Sequence, residues 1–527
     1  MSQPNFILFI TDQQKAQHLG AYGNSIVKTP NLDAIAAKGW KAERFYVATP
    51  ICMPNRSSLM TGRMPSVHGV RHNGIPLSLD SVTFVDRLRD AGYETALVGK
   101  SHLQNMTGIG PQWPRLDAPK TEGEAHRPSA ANYDQEWGPC WRNEPHHEID
   151  LPFYGFSRVA LTVDHGDQVW GHYWRWLEEQ YPDAAKQSGP EQAIPAPDYE
   201  LSRCRQAWRT RVPEELSTNA YVGLKTGELI REYAQGNKPF FIQCSFPDPH
   251  HPFTPHGKYW GMYDPDQVDL PLSFHASQAH TPPPHVAWLY EQREQGKAIK
   301  HTPALFSCTE REAREAIALN YGSISHIDHV IGQIMAELQQ QNLADNTIII
   351  FMSDHGDYLG DHQLLWKGPV HYQSLIRTPF IWMDPSRPHA RHNEDALAST
   401  IDVASTVMDR TGLTPYNGLQ GKSLLPLMEN KTPSLRDHVL IEEEGQRVMF
   451  GLNSRIRMRT ILNERYRLSL YDGADFGELY DLKQDPMELE NLWGSPKHTT
   501  QKSALLEALA LSMLEHTDTS PNPSAIA

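Results

Sequence analysis

Asn346-Thr347-Ile348-Ile349-Ile350-Phe351-Met352-Ser353 is the most strand-like stretch of the chain. Five consecutive large apolar residues leave no polar face, so this strand is expected to be buried on both sides, in the middle of a sheet. Upstream of it, about Glu310 to Gln340 has the spacing of one long helix. The alternation recurs. Asn5–Thr11 is a continuous apolar run followed by a turn and helix start at Thr29-Pro30-Asn31-Leu32-Asp33; Phe84–Ala91 reads as helix and Glu94–Gly99 as strand; Tyr221–Tyr233 reads as helix and Pro239–Ser245 as strand. Strands alternating with helices predict an α/β fold, a large, mainly parallel, doubly wound sheet flanked by helices. After about Lys431 the runs shorten to His438–Glu443, Arg457–Leu462 and Tyr466–Tyr471, followed by a helix at about Thr500–His516. That texture predicts a smaller C-terminal antiparallel-sheet subdomain. The expected division is a main domain over 1–430 with insertions at about 103–218, an α+β subdomain over 431–517, and a disordered tail over 518–527.

Composition bounds the function classes. The 527 residues carry 48 Lys+Arg against 63 Asp+Glu, a net charge of −15. With 39% hydrophobic and 21% charged residues the chain is of ordinary globular composition. Its acidic balance, without a Lys/Arg block, argues against a nucleic-acid partner. No apolar run reaches the roughly 20 residues that span a bilayer, so no membrane association is expected. The start has no basic leader and Phe6–Ile10 is too short for a signal peptide, which gives a cytoplasmic expectation. Five cysteines without a CxxC pair argue against a disulfide framework. Twenty-six histidines, many beside Asp, Pro or Gly, point to a metal site instead.

Three polar sequences follow the carboxyl ends of expected strands: Asp12-Gln13, Lys100-Ser101-His102 and Asp354-His355. Ligands of open α/β sheets bind at that edge. Taken alone, Asp12-Gln13 could cap a helix and Asp354-His355-Gly356 could be a turn. The decisive motif is Cys52-Met53-Pro54-Asn55-Arg56-Ser57-Ser58-Leu59-Met60-Thr61-Gly62-Arg63. Pro54 suits the first turn of a helix, so Cys52 is expected at or just before a helix N-terminus, where a tetrahedral oxyanion is stabilised.

Cys52-x-Pro54-x-Arg56, extended by Ser57 and Thr61-Gly62-Arg63, resembles the signature of the formylglycine-dependent sulfatases of the alkaline phosphatase superfamily, including its arylsulfatase and phosphonate monoester hydrolase branches. The resemblance implies that 1–430 is a catalytic domain and that Cys52 is oxidised by a formylglycine-generating enzyme. The resulting aldehyde hydrate would attack sulfur, form a covalent sulfo-enzyme intermediate and expel sulfate. Arg56 would hold the diol. Asp12, Gln13, Asp354 and His355, with residue 52, would bind one divalent metal ion. The commonest sulfatase pattern has Asp at the position of Gln13 and Asn at that of His355; the Gln and His pairing resembles the phosphonate hydrolase branch. An all-oxygen site favours Ca²⁺ and an imidazole moves the preference toward Mn²⁺ or Zn²⁺, so Ca²⁺ and Mn²⁺ are the expected ions.

By the same resemblance Lys100 grips a sulfate oxygen, His102 assists deprotonation of the diol, and Lys367 is a second catalytic lysine. Within Pro249-His250-His251-Pro252, His250 takes the place of the histidine that binds the leaving-group oxygen, with His251 as the alternative inward-facing residue. Asn73 is placed near the anion, although His72-Asn73-Gly74 also reads as a plain turn. Glu478-Leu479-Tyr480-Asp481-Leu482 resembles a family element and is read as structural support. Trp170, Trp174 and Trp176 form either an aromatic wall or, at helical spacing, a core face.

The leading expectation is therefore a sulfuric ester hydrolase, an arylsulfatase-like enzyme acting on a small anionic sulfate monoester and promiscuous toward related tetrahedral anions. Gln13 and His355 favour the alternative, a phosphonate monoester hydrolase or phosphodiesterase with the same nucleophile. Lys100 and His102 favour the sulfatase, because the phosphonate hydrolases carry hydroxyl-bearing residues there. A third reading is an unmatured metal- and anion-binding scaffold. A homodimer or homotetramer is expected from the general prevalence of symmetric assembly.

Overall fold

Each central strand presents two apolar faces, and each face is covered by helices. The strands of the main sheet are β1 (Asn5–Thr11), β2 (Trp40–Lys41), β3 (Glu94–Gly99), β4 (Arg158–Val163), β5 (Trp170–Gly171), β6 (Phe240–Ser245), β7 (Thr347–Ser353) and β8 (Phe380–Met383). In the computed structural model they lie in the order β2-β8-β7-β1-β6-β3-β4-β5. The structure describes residues 3–108, 125, 129–300, 304–387 and 393–525; residues 109–124 and 126–128 of the expected insertion, Met1, Ser2 and the last two residues of the expected tail lie outside them.

The five strands β7-β1-β6-β3-β4 are mutually parallel, and antiparallel pairs occur only towards the edges. Register aligns Ile349, Ile7, Ile242 and Ala96 across four strands. That row, with Phe9, Cys244 and Phe351, packs beneath helices Thr218–Tyr233 and Glu310–Gln340. The alternate residues Phe6, Leu8, Ile10, Phe241, Ile350 and Met352 face the other way, onto Leu59, Leu88, Val403 and Val407. Burial on both faces explains the unbroken apolar runs. The expected doubly wound α/β architecture is the one observed, and the long helix runs over Glu310–Gln340 as expected.

The segment 103–218 does more than decorate the sheet. It supplies β4 and β5. Of its tryptophans, Trp176 is buried in a satellite core with Tyr173 and Leu177, whereas Trp170 and Trp174 are half-buried and pack on each other. The C-terminal sheet has four antiparallel strands, β9 (Val439–Glu444), β10 (Arg457–Leu462), β11 (Tyr466–Asp472) and β12 (Gly477–Asp481), so the Glu478–Leu482 element forms most of a fourth strand. A helix over Thr499–Glu515 covers it. Beyond it, Asp518 accepts a hydrogen bond from Arg63. Among the described residues no helix is long and apolar enough to cross a membrane.

Candidate active site

Because the five central strands run the same way, their carboxyl ends bring distant residues to one edge. β7 delivers Asp354 and His355, β1 delivers Asp12 and Gln13, β6 leads into His250, β3 delivers Lys100 and β4 delivers His165. Backbone bonds continue the ladder past the strand ends, from Asp354 N to Thr11 O at 3.1 Å and from Lys100 N to Ser245 O at 2.9 Å. Gly99 allows this crowding: its φ is +104°, and a Cβ there would stand 1.9 Å from Ser245 O.

Cys52 opens a helix, Cys52–Thr61, in which every residue is buried. No side chain caps it at Ile51; Asn73 Oδ1 accepts from Met53 N at 3.2 Å. Asn73 therefore satisfies one of the orphan donors of this helix start. Asn55 locks the helix to the sheet by donating to Asp354 O and accepting from Ala48 N.

The Cys52 sulfur lies 2.9 Å from Lys367 Nζ, 3.0 Å from His355 Nε2 and 3.7 Å from Asp12 Oδ1. Burial and Asp12 push its thiol pKa up, but Lys367, His355 and Lys100 outweigh them and draw it down to about 7. Arg56 sits behind the two carboxylates. Its Nε donates to Asp354 Oδ2 at 2.8 Å and its Nη2 to Asp12 Oδ2 at 3.2 Å, while Nη1 donates to Lys100 O and Ser245 Oγ. The resemblance gives Arg56 to the diol; in this structure its hydrogen bonds go to Asp12, Asp354, Lys100 O and Ser245 Oγ.

Each carboxylate thus turns Oδ2 to the guanidinium and Oδ1 toward Cys52 and His355. Asp12, Cys52, Asp354 and His355 present donor atoms all within 4.8 Å of one another. His355 Nδ1–H donates to Gly356 O at 2.8 Å, which leaves the Nε2 lone pair facing the carboxylates. Gln13, at φ +65°, donates from Nε2 to Asp357 and turns Oε1 to Lys367 at 3.0 Å. The Lys367 ammonium converges on Gln13 Oε1, Cys52 Sγ and His355 Nε2, a built-in monovalent stand-in at the junction of those donors. The donor set fits a divalent cation.

Lys100 is fully buried and donates to Asp12 Oδ2 and, at 2.5 Å, to His165 Nε2. Although burial opposes it, Lys100 leads the groups that hold the Asp12 carboxyl well below the usual carboxylate range. His250 Nε2 lies 3.1 Å from Lys367 Nζ, so His250 is the inward residue of its pair. His251 is bonded to Gln206 Oε1 at 2.7 Å and stacked on Trp366. His102, at φ +58°, has its backbone N–H held by Glu136, and its buried Nδ1 has no hydrogen-bond partner among the described residues. Burial first, then nearby cations, draw the His102 and His250 imidazoles well below the usual histidine range.

The structure also brings in residues not singled out in the sequence: His165, Ser245, Asp357 and Glu136. Asp357, burial raising its carboxyl pKa to about 6, anchors Gln13. Its place three residues after Asp354 is the sequence signal that could have found it. His165 follows β4 by two residues, in a region without readable periodicity, and carried no such signal.

The sulfatase family model matches residues 4–117 and 169–413. The chain belongs to the sulfatase family. That family consists of sulfuric ester hydrolases, and the residues around Cys52 are set in its fold. A model for the C-terminal region of N-sulphoglucosamine sulphohydrolase matches residues 360–514 of this sulfatase. It is similar to an arylsulfatase of Clostridium perfringens, with 26% identity covering 94% of this chain and 91% of that one. A multifunctional alkaline phosphatase superfamily protein of Trinickia caryophylli is 27% identical, over 94% and 93% of the two chains. The phosphonate monoester hydrolase of Agrobacterium radiobacter superposes with a TM-score of 0.74 at 25% identity, covering 98% of this chain and 97% of that one.

Proposed function

We propose that the protein hydrolyses sulfate monoesters of the arylsulfate type, with a formylglycine made from Cys52 by a formylglycine-generating enzyme as its nucleophile. The observation that carries this reading is the Cys52 side chain: 1% exposed, at the start of a buried helix, with Lys367 and His355 at 2.9 and 3.0 Å. A site with Lys100 and Lys367 around one small centre, and Arg56 behind it offsetting the two carboxylates, is built for an anionic ester. Formylglycine supplies a geminal diol, one hydroxyl to attack sulfur and a second whose deprotonation expels the sulfate.

This chain's own residues do the rest. Lys100 and Lys367 bind the anion's oxygens and neutralise charge that grows as the ester bond breaks. His250 stands on the leaving-group side with its Nε2 lone pair turned to Lys367 Nζ at 3.1 Å, so the proton for the ester oxygen is held on the Lys367 ammonium that His250 orients. His102, whose Nδ1 has no partner among the described residues, takes the proton from the second hydroxyl. Arg56 keeps both carboxylates turned. Asp12, Gln13, Asp354 and His355 would hold the divalent ion, and one imidazole among oxygen donors favours Mn²⁺ over Ca²⁺. When bound, the ion lowers the pKa of a hydroxyl and polarises an ester oxygen.

A second reading, phosphonate monoester or phosphodiester hydrolysis by the same nucleophile, is favoured by the pairing of Gln13 with His355 in one site. The test is hydrolysis of 4-nitrophenyl sulfate and of a phenyl phosphonate monoester by wild type and Cys52→Ala. Mass spectrometry of the Cys52 peptide accompanies it, because the aldehyde lowers the residue mass by about 18 Da. Sulfatase activity lost by about three orders of magnitude in Cys52→Ala is expected. A phosphonate kcat/KM about a hundredfold above the sulfate value hands the function to the second reading. An unmodified Cys52 with no turnover leaves the scaffold reading.

A further inference from the structure

His165 lies on a loop after β4, 13% exposed at its side chain, and touches the site at three points. Its Nε2 is 2.5 Å from Lys100 Nζ and 3.8 Å from Asp12 Oδ2, and its ring lies flat on that of His250, centroids 3.7 Å apart and planes 18° off parallel. An ammonium can only donate, so the His165 Nε2 must accept and the ring proton must sit on Nδ1. The loop supplies what that tautomer needs. Asp164, at φ +84°, turns Oδ1 to the His165 backbone N–H at 3.0 Å and to its Nδ1 at 3.3 Å.

His250 repeats the arrangement. Its Nδ1 donates to His251 O, and its Nε2 faces Lys367 at 3.1 Å. Two stacked imidazoles, each pinned at Nδ1, therefore each turn a lone pair to one of the two lysines. Asp12, His165 and His250 also form a group of metal-type donors. The Lys100 ammonium already donates to Asp12 and to His165, so the positive charge of that group is supplied covalently by the chain.

We propose that His165 is a positioning residue of the reaction: it accepts one Lys100 proton, so that with Asp12 taking a second the third is aimed at the anion, and its ring fixes the plane of His250 on the leaving-group side. The inference rests on the proposed function. Lys100 without His165 would settle on Asp12 alone, and His250 without a flat neighbour would lose its orientation.

Two substitutions separate the two jobs. His165→Phe keeps a flat ring against His250 but offers Lys100 no acceptor, whereas His165→Gln keeps an acceptor and removes the stack. For His165→Phe, kcat is expected to fall about thirtyfold on both 4-nitrophenyl and phenyl sulfate, with KM within about threefold, as for loss of an interaction made mainly in the transition state. For His165→Gln, kcat on 4-nitrophenyl sulfate stays within about threefold while that on phenyl sulfate, the poorer leaving group, falls about tenfold. Melting temperatures and the Cys52-peptide mass are checked on each variant. Wild-type kcat in both variants, or losses that match the fraction of unfolded or unconverted protein, overturns the inference.

Sulfate binding measured by calorimetry on the metal-loaded proteins needs no turnover. The product dianion carries more charge to Lys100 than the monoanionic ester does, so His165→Phe is expected to bind it about fivefold more weakly. Unchanged sulfate affinity overturns the inference. A wild type that turns over neither sulfate nor phosphonate esters is a failure of the proposed function, and sulfate affinity then decides the role of His165.

Discussion

Arg56 shows how a single side chain can set the direction of a whole site. Its guanidinium is 2% exposed and bonds to Asp12, Asp354, Lys100 O and Ser245. Two carboxylates this close repel one another unless a cation lies between them, and a planar fork can serve both while holding each at a fixed rotation. Removing it leaves buried charge unpaired. Arg56→Ala is expected to cost about 3–5 kcal/mol of stability in urea unfolding. It should also lower kcat/KM at least about a hundredfold, because the Oδ1 atoms lose their aim. Arg56→Lys should recover part of the stability and little of the activity, since one ammonium cannot reach both carboxylates in the plane of the fork. An Arg56→Ala protein as stable as wild type would show that the carboxylates do not depend on it.

The helix Cys52–Thr61 presents the nucleophile position, and its far face is held by a histidine outside it. His68 Nδ1 accepts from Val70 N at 3.2 Å, so its Nε2–H donates to Ser58 Oγ at 2.9 Å. Burial, then the charge of Arg63, pushes the His68 pKa down to about 3. Unfolded, the imidazole titrates near its ordinary value of 6.5. Between those values the folded state binds fewer protons than the unfolded state. The contribution is therefore complete above pH 6.5 and is lost as pH falls toward 3. From pH 7.5 to 5 wild type should lose about 2 kcal/mol more than His68→Gln, compared by urea unfolding at the two pH values. Parallel pH profiles would place the acid sensitivity elsewhere.

The same elements show what was legible. β1, β6 and β7 were readable because burial on both faces leaves unbroken apolar runs, and the residues after them could be found by position alone. β4 was not, since its exposed and half-buried start, Arg158 to Ala160, breaks the run at the sheet's edge. His165, which follows that strand, was hidden with it. The direction of Arg56 was hidden for another reason: a motif names a residue, but its partners depend on where two strand ends meet.

At the scale of the molecule, the C-terminal sheet is part of the site's foundation. The segment carrying Lys367 is held from that sheet and the turn that follows it at three points. His362 Nε2 donates to Met487 O at 2.8 Å, Gln373 N donates to Glu488 Oε2 at 2.8 Å, and His371 lies between Glu443 Oε2 at 2.9 Å and Thr460 Oγ1 at 2.8 Å. Around these bonds one apolar core joins Leu364, Val370 and Ile376 to Ile441, Met458 and Leu462. Two parts that share a core cannot unfold independently, so the wild-type chain should melt in one calorimetric transition. His371→Phe keeps the ring's bulk and removes both polar contacts, leaving the Glu443 carboxylate buried without its imidazole. It should lower stability by about 3 kcal/mol and, through the three-residue connection to Lys367, kcat about tenfold, with residues 431–527 still melting together with the rest. An early, separate transition in the variant, with kcat unchanged, would mean that the C-terminal sheet is an independent body and that Lys367 is positioned by the main sheet alone.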